Sequence, residues 1–302
     1  MFKKAILIHN GNAGQDETDN RLGAVIGPLA AGTGELVLVQ TEKPGDAERI
    51  CAERGEEFDV VFILGGDGTV HECVNGLADL ASPPVVGILP GGTCNDFSRA
   101  LNLPQTLDQA AQALMQGTTR AVDIGRVNDR YFSNFLGVGL ITDTSENINP
   151  QLKGKLGKLS YLISTLQTVT SADPFRFSLK YDGGTEEGEA VMIFVANGRF
   201  LGTQPLPLDA DALVDGILDV AIIREAGLPL LKELFKIKSF REWDAHASSF
   251  EFIRTRELTL STDRSMQADT DGEIYLNTPV SISLLEKRLT FLVGEDAPAG
   301  LI

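Results

Sequence analysis

Long hydrophobic runs are missing from this chain: nowhere does it approach the ~18 consecutive apolar residues that a membrane-spanning helix needs. The start, Met1-Phe2-Lys3-Lys4, carries the lysines that open a signal peptide, but the apolar stretch behind it runs only from Ala5 to Ile8, too short for an h-region. It reads as a first strand, and the cytoplasm is the expected location. Cysteine is scarce. Cys51, Cys73 and Cys94 are the only three, odd in number, widely spaced and without a CxxC, which excludes a disulfide framework and a zinc knuckle. Small buried thiols are expected instead. Positive charge is in deficit too, with 26 basic against 42 acidic residues and a net charge of −16. Nucleic acid is excluded as a partner, because it demands a basic footprint that displaces counterions. Non-specific attraction to anionic lipid is disfavoured for the same reason, so any membrane contact must come from a local patch.

Several catalytic signatures are also absent. His71-Glu72-Cys73-Val74-Asn75 resembles the zincin HExxH, but Asn75 stands where the second zinc ligand belongs. Gly137-Val138-Gly139 lacks the third glycine of a dinucleotide fingerprint. There is no GxSxG and no Walker A lysine motif. His9 and His246 have no partner at ligand spacing and are read as structural.

What is present is enough apolar residue, 43% of 302, for sizeable cores in two domains. The first part alternates strand and helix signals. Lys4–His9, Glu35–Gln40, Val60–Leu64 and Val85–Leu89 read as strands, the last two as continuous apolar runs of the kind buried on both faces. Asp19–Ala31, Gly45–Arg54, Val70–Ala78 and Thr106–Gln116 read as helices. Such alternation implies right-handed crossovers and a parallel, doubly wound sheet. From Ile124 the texture becomes strand after strand: Ile124–Val127, Tyr131–Leu136, Phe175–Tyr181, Ala190–Ala196, Asp219–Ile223, Phe250–Arg254, Glu257–Ser261, Val280–Leu284 and Leu289–Val293. Helical stretches at Lys158–Val169 and Leu228–Phe240 interrupt them. The expectation is an α/β domain over 1–123 and a mostly antiparallel β domain over 124–289, with a tail from about 290 to 302 returning to the first domain.

Four loops carry the chemistry. Gly65-Gly66-Asp67-Gly68-Thr69 follows a buried strand and precedes a helix. Glycines there allow a sharp turn and close backbone approach to a ligand, and free N–H groups at the next helix start favour an anion such as phosphate. Asp67 offers a carboxylate for Mg²⁺ through water, and Thr69 a hydroxyl. Alone, the match is as easily a turn as a site. Pro90-Gly91-Gly92-Thr93-Cys94-Asn95-Asp96-Phe97 repeats the same logic after the next strand, and Asn10-Gly11-Asn12-Ala13-Gly14 and Thr41 follow the first two. In a parallel sheet these ends share one crevice, where ligands bind. Glu72, on the helix after Thr69, is expected to point back into it.

GGDGT followed by PGGTxNDFxR resembles the catalytic region of the diacylglycerol kinase superfamily, of which the bacterial soluble lipid kinases are the nearest pattern. Val214-Asp215-Gly216-Ile217-Leu218-Asp219 is similar to the family's DDG-containing turn, and Asp271-Gly272-Glu273 to its DGE. Two departures stand out: Gly11 replaces the usual proline of the first loop, and Val214 the first acid of DDG. The resemblance implies a phosphofructokinase- and NAD kinase-like α/β domain joined to a β-sandwich-like lipid domain. It implies ATP and Mg²⁺ as cofactors, with nucleotide contacts from Asn10, Gly11, Asn12, Ala13, Gly14, Thr41, Gly65, Gly66, Gly68, Thr69, Glu72, Gly92, Thr93 and Asn95. Asp67 would organise the catalytic Mg²⁺, and Glu273 would accept the proton of a lipid hydroxyl at a site between the domains. A structural Mg²⁺ would be held by Asp215 with the carbonyls of Ala212 and Ile217. Diacylglycerol is the expected acceptor, met at a membrane surface in a transient peripheral contact, and a homodimer is left open. Two alternatives stand beside this reading: a kinase of the same fold acting on another lipid or on NAD, and a nucleotide-binding regulator without catalysis. Leu228–Phe240, with Lys232, Lys236 and Lys238 beside an apolar face, reads equally as a membrane-docking helix and as a core-facing one.

Overall fold

The computed structural model describes residues 1–11, 15–142, 173–224 and 250–294. The chain divides into two compact units, Met1–Val122 with Lys287–Ile302, and Asp123–Glu286.

In the first unit, β1 (Phe2–Asn10), α1 (Gln15–Gly32), β2 (Thr33–Thr41), α2 (Asp46–Arg54), β3 (Val60–Gly65), α3 (Asp67–Leu77) and β4 (Val85–Pro90) alternate along the chain. Two further helices, α4 (Asp96–Ala100) and α5 (Leu107–Gln116), lead to β5 (Thr118–Val127). The strands pair in parallel in the order β2-β1-β3-β4, and Phe291, near the end of the last strand of the chain, lies parallel to Val86 of β4. Strands in the middle of such a sheet are covered on both faces, so β-branched and apolar side chains fill consecutive positions. Ala5 to Ile8 and Val60 to Leu64 are accordingly buried without alternation. Helix α2 packs on α3, and α1 on α5. The α2–α3 contact depends on Gly76, where an added Cβ would run into the Glu48 carbonyl oxygen.

The second unit is built from antiparallel strands. They are β6 (Arg130–Phe132), β7 (Phe135–Gly139), β8 (Phe175–Tyr181), β9 (Gly184–Ala190), β10 (Met192–Ala196), β11 (Phe200–Leu201), β12 (Gln204–Pro205), β13 (Leu218–Ile223), β14 (Phe250–Thr255), β15 (Glu257–Thr262), β16 (Gln267–Thr270), β17 (Glu273–Asn277) and β18 (Val280–Val293). One sheet has six strands in the order β14-β13-β10-β7-β16-β17, and the first part of β18 pairs with β15, then β8, then β9. Alternate residues of the two layers meet in a common core: Leu136, Ile193 and Val220 from the first, Phe177, Leu260 and Ile282 from the second. That is the two-layer pattern of a sandwich.

The expected doubly wound α/β part and the mostly antiparallel β part are both present, with differences of detail. The segment Tyr131–Leu136, expected as one strand, is broken into β6 and β7 by a buried Ser133-Asn134 corner. Val280–Leu284 and Leu289–Val293, expected as two strands, are one strand of 14 residues. The segments Lys158–Val169 and Leu228–Phe240 lie outside the described residues. Among the described residues no helix is long and apolar enough to cross a membrane.

Candidate active site

In the first unit, parallel register aligns the C-terminal ends of the four strands. Asn10 of β1 lies opposite Thr41 of β2, His9 opposite Leu64 of β3, and Gly65 opposite Pro90 of β4. The loops expected to carry nucleotide contacts therefore leave the sheet along one edge. Asn12, Ala13 and Gly14 lie outside the described residues. At Gly11 the amide end of Gln40 occupies the direction a Cβ would take. A proline in that place would push against this flexible side chain, and glycine removes the conflict.

The two glycine-rich loops touch through their backbones. The Gly91 N–H donates to the Gly65 carbonyl at 2.8 Å, and a Cβ on Gly92 would lie 2.5 Å from the Gly66 Cα. No side chain fits between them. Asn95 holds the second loop from within: its Oδ1 accepts from the Gly92 N–H at 2.8 Å, and its Nδ2 donates to the Gly92 carbonyl at 3.0 Å. Asn95 itself sits at φ 53°, a left-handed conformation that asparagine tolerates better than most residues. Arg21 adds a hydrogen bond to the Gly91 carbonyl at 3.0 Å. The result is a braced double loop, with Gly92 and Thr93 exposed on the second loop and Gly68 exposed on the first.

Asp67 opens α3, with Gly66 as its N-cap. Its Oδ1 accepts a long bond of 3.4 Å from the Phe97 N–H, which ties the two loops together at the acid. Thr69 follows within the first turn, its N–H donating to the Gly66 carbonyl. Thr41 and Glu72 have structural duties of their own. The Thr41 hydroxyl donates to the His9 carbonyl at 3.4 Å, and Glu72 Oε2 accepts from the Ala47 N–H at 3.1 Å, in the first turn of α2. Glu72 thus joins α3 to α2, a use that favours a carboxylate at a helix start.

In the second unit, Asp271-Gly272-Glu273 makes the turn from β16 to β17, and Glu273 is its half-buried last residue. Both residues before it are left-handed, Asp271 at φ 53° and Gly272 at φ 90°. The Asp271 carboxylate, 4% exposed, accepts hydrogen bonds from the N–H groups of Ser133, Asn134 and Phe135 at 2.7, 2.8 and 2.9 Å, and from the Ser133 hydroxyl at 3.1 Å. Asp269 Oδ1 accepts from the Gly272 N–H at 2.7 Å. The hydroxyls of Thr270 and Tyr275 are 2.9 Å apart, and the Arg130 guanidinium lies 4.9 Å from the Tyr275 ring centre.

The corner at 133–134 continues into a polar core. The Asn134 carbonyl accepts from the N–H groups of Asn197 and Gly198, both at 2.8 Å. Asn197 Nδ2 donates to the carbonyls of Ser133 at 2.8 Å and Asp123 at 3.0 Å. Asp123 Oδ2 in turn accepts from the Gly216 N–H at 2.8 Å, which brings the network to the turn expected to hold a structural metal. There Asp215 Oδ1 accepts from the Ile217 N–H at 3.1 Å and Oδ2 from Arg254 at 2.5 Å, while Arg254 Nε reaches Asp219 Oδ1 at 3.2 Å. Among the described residues no three His, Cys, Asp or Glu side chains converge as a ligand set. Asp215 is the side chain at this turn that the sequence pattern marks as a metal ligand, and Asp123, Asp211 and Asp219 lie near it. The carboxylate is already paired with the Arg254 guanidinium, with which a cation at this turn would compete. Burial, then neighbouring Asp211 and Asp123, hold the Asp215 carboxyl above its ordinary range although Arg254 pulls the other way. Burial pushes Asp219 up to about 6 despite the same arginine.

Arg254, Asp123, Asn197 and the Ser133–Phe135 corner were not singled out from the sequence. Arg254 sits directly across from Asp219 in the β13–β14 ladder, a pairing that no local pattern announces.

Comparison with known proteins gives two adjoining matches. Residues 4–127 match the model of the diacylglycerol kinase catalytic domain, and residues 137–293 that of the YegS C-terminal NAD kinase beta sandwich-like domain. The chain is 35% identical to a Staphylococcus carnosus (strain TM300) protein named "Putative lipid kinase", over 96% of this chain and 97% of that one. It is 34% identical to the protein of that name in Staphylococcus aureus (strain Newman), over 98% of each. Among solved structures, it superposes on one described as a "putative diacylglycerol kinase" from Bacillus anthracis str. Sterne with a TM-score of 0.89, 37% identity and 98% coverage of both chains.

Proposed function

The chain belongs to the diacylglycerol kinase family, and from that premise we propose that it transfers the γ-phosphoryl group of ATP to a lipid hydroxyl, with diacylglycerol as acceptor and phosphatidic acid as product. The observation that carries the reading is the braced pair of glycine loops, in backbone contact at the ends of β3 and β4, with Asp67 at the start of the helix between them.

Phosphoryl transfer asks for positioning and charge neutralisation more than for covalent participation by the protein. The glycine loops present backbone to a polyphosphate without side-chain interference, and the first turn of α3 adds its helix dipole. Mg²⁺, when bound, would neutralise charge on the phosphates, and the Asp67 carboxylate would hold it by accepting hydrogen bonds from its waters. Glu273 takes the proton from the lipid hydroxyl as its oxygen attacks the γ-phosphorus and the bond to the β,γ-bridging oxygen breaks, releasing ADP. The lipid is taken from a membrane surface by peripheral contact.

The direct test incubates the full chain with γ-labelled ATP, Mg²⁺ and a panel of acceptors: micellar diacylglycerol, other lipid alcohols and NAD. Label in phosphatidic acid is the expected result. Label on another lipid alone would move the acceptor assignment, label on NAD would favour the NAD kinase reading, and no transfer in a single turnover would leave a nucleotide-binding regulator.

The Asp215 turn is proposed to hold a second Mg²⁺, through Asp215 and the carbonyls of Ala212 and Ile217. Mg²⁺ should then raise the melting temperature of the wild-type chain without nucleotide, because an ion bound only to the folded state stabilises by mass action. In Asp215→Ala the Mg²⁺ response should disappear at the same nucleotide-free condition. An unchanged response would show that the turn binds no metal.

A further inference from the structure

We propose that Asp271 is the positioning residue for Glu273. Its carboxylate is clasped by the Ser133–Phe135 corner and sets the left-handed turn from which the Glu273 side chain is presented. This rests on the kinase reading and on Glu273 as its proton acceptor.

The geometry at Asp271 exceeds what strand pairing requires. The ladder between β7 and β16 already aligns Thr270 with Leu136, and the Asp271 N–H donates to the Phe135 carbonyl. Yet a buried carboxylate also gathers one hydroxyl and three consecutive backbone N–H donors from residues more than 130 positions earlier. Hydrogen bonds to an ionised acceptor are shorter and stronger than neutral ones. They offset the removal of the carboxylate from water, which would otherwise be costly. The same carboxylate fixes where the chain turns left-handed. Asp271 at φ 53° and Gly272 at φ 90° are the two residues before Glu273, and the Gly272 N–H is separately tied to Asp269. The backbone entering Glu273 is therefore pinned at both preceding residues. Deeper in the unit, the corner that grips Asp271 is itself held by Asn197 and Gly198. A proton acceptor needs this kind of support, since a displacement of about 1 Å from the productive geometry costs on the order of a hundred-fold in rate.

The test is a double-mutant cycle on the full chain with Asp271→Asn, Glu273→Gln and the two combined. Asparagine keeps the size and tolerates the positive φ, but its amide nitrogen cannot accept from the clasping N–H groups. Asp271→Asn should lower kcat by roughly ten- to a hundred-fold with KM for ATP nearly unchanged. In the Glu273→Gln background the same change should do little more, because the group it positions is already gone. Ser133→Ala removes one donor of the clasp and provides a milder variant in case Asp271→Asn does not fold. It should lower kcat by about two- to five-fold and lose that effect in Glu273→Gln. Multiplicative losses in the combined variants, or an unchanged kcat in folded Asp271→Asn, would overturn the positioning role. A wild-type kcat in Glu273→Gln would instead remove the proton-acceptor assignment, and with it this proposal, whatever Asp271→Asn does.

Discussion

Asp67→Asn is expected to lower phosphoryl transfer by on the order of a hundred-fold or more while the fold is retained, because preorganised electrostatic contacts of this sort are worth ~3–4 kcal/mol. The substitution is nearly isosteric. The asparagine side chain would keep an acceptor oxygen for the Phe97 N–H, the long bond that now ties the loops at this point. What is lost is the negative charge, and with it the pull on Mg²⁺ and its waters. The measurement is the initial rate of label transfer from ATP to lipid at saturating Mg²⁺, alongside a melting curve. A rate within a few-fold of wild type, at an unchanged melting temperature, would take Asp67 out of the mechanism.

Glu273→Gln should show the complementary signature, a fall in kcat of about 10²–10⁴-fold with KM for ATP little altered. A general base acts as the proton moves, so its loss appears in the transition state and leaves nucleotide binding largely intact. Glutamine keeps the shape of the side chain, and the Asp271 and Gly272 contacts that hold the turn are made by other residues. Steady-state kinetics with ATP varied at saturating lipid separates the two parameters. Loss of ATP affinity at an undiminished kcat would make Glu273 a nucleotide residue and send the search for the base elsewhere.

Particular elements show how far the sequence reaches. The apolar runs at Val60–Leu64 and Val85–Leu89 announce strands covered on both faces, and β3 and β4 are where they are expected. Helix α3 is less legible at its start. It begins at Asp67, earlier than the expected Val70, because Asp67-Gly68-Thr69 has the composition of a turn while its backbone forms the first helical turn. Helix α4 has only five residues, too few for a helical period to register. Strand β9, Gly184-Thr185-Glu186-Glu187-Gly188-Glu189-Ala190, escapes notice because it has almost no apolar side chains, and its ladder with β8 holds it in place. In β18 the polar Glu286-Lys287-Arg288 suggests a break, but the strand runs through it, with Arg288 donating to the carbonyls of Ala78 and Leu80.

By itself the sequence determined the alternation of strands and helices in the first unit and the glycine loops with Asp67, while Asp215 and Glu273 stood out through the resemblance of their turns to the family's motifs. The first two follow from local causes: periodicity and glycine's freedom to turn. Only the tertiary structure decided that Gly66 and Gly92 meet backbone to backbone, that Arg254 bridges Asp215 and Asp219, and that Asp271 is held by the corner at 133–135. Each of these joins residues brought together by strand order and register. Register is a property of the whole sheet, fixed by which faces are buried, and no single segment contains it.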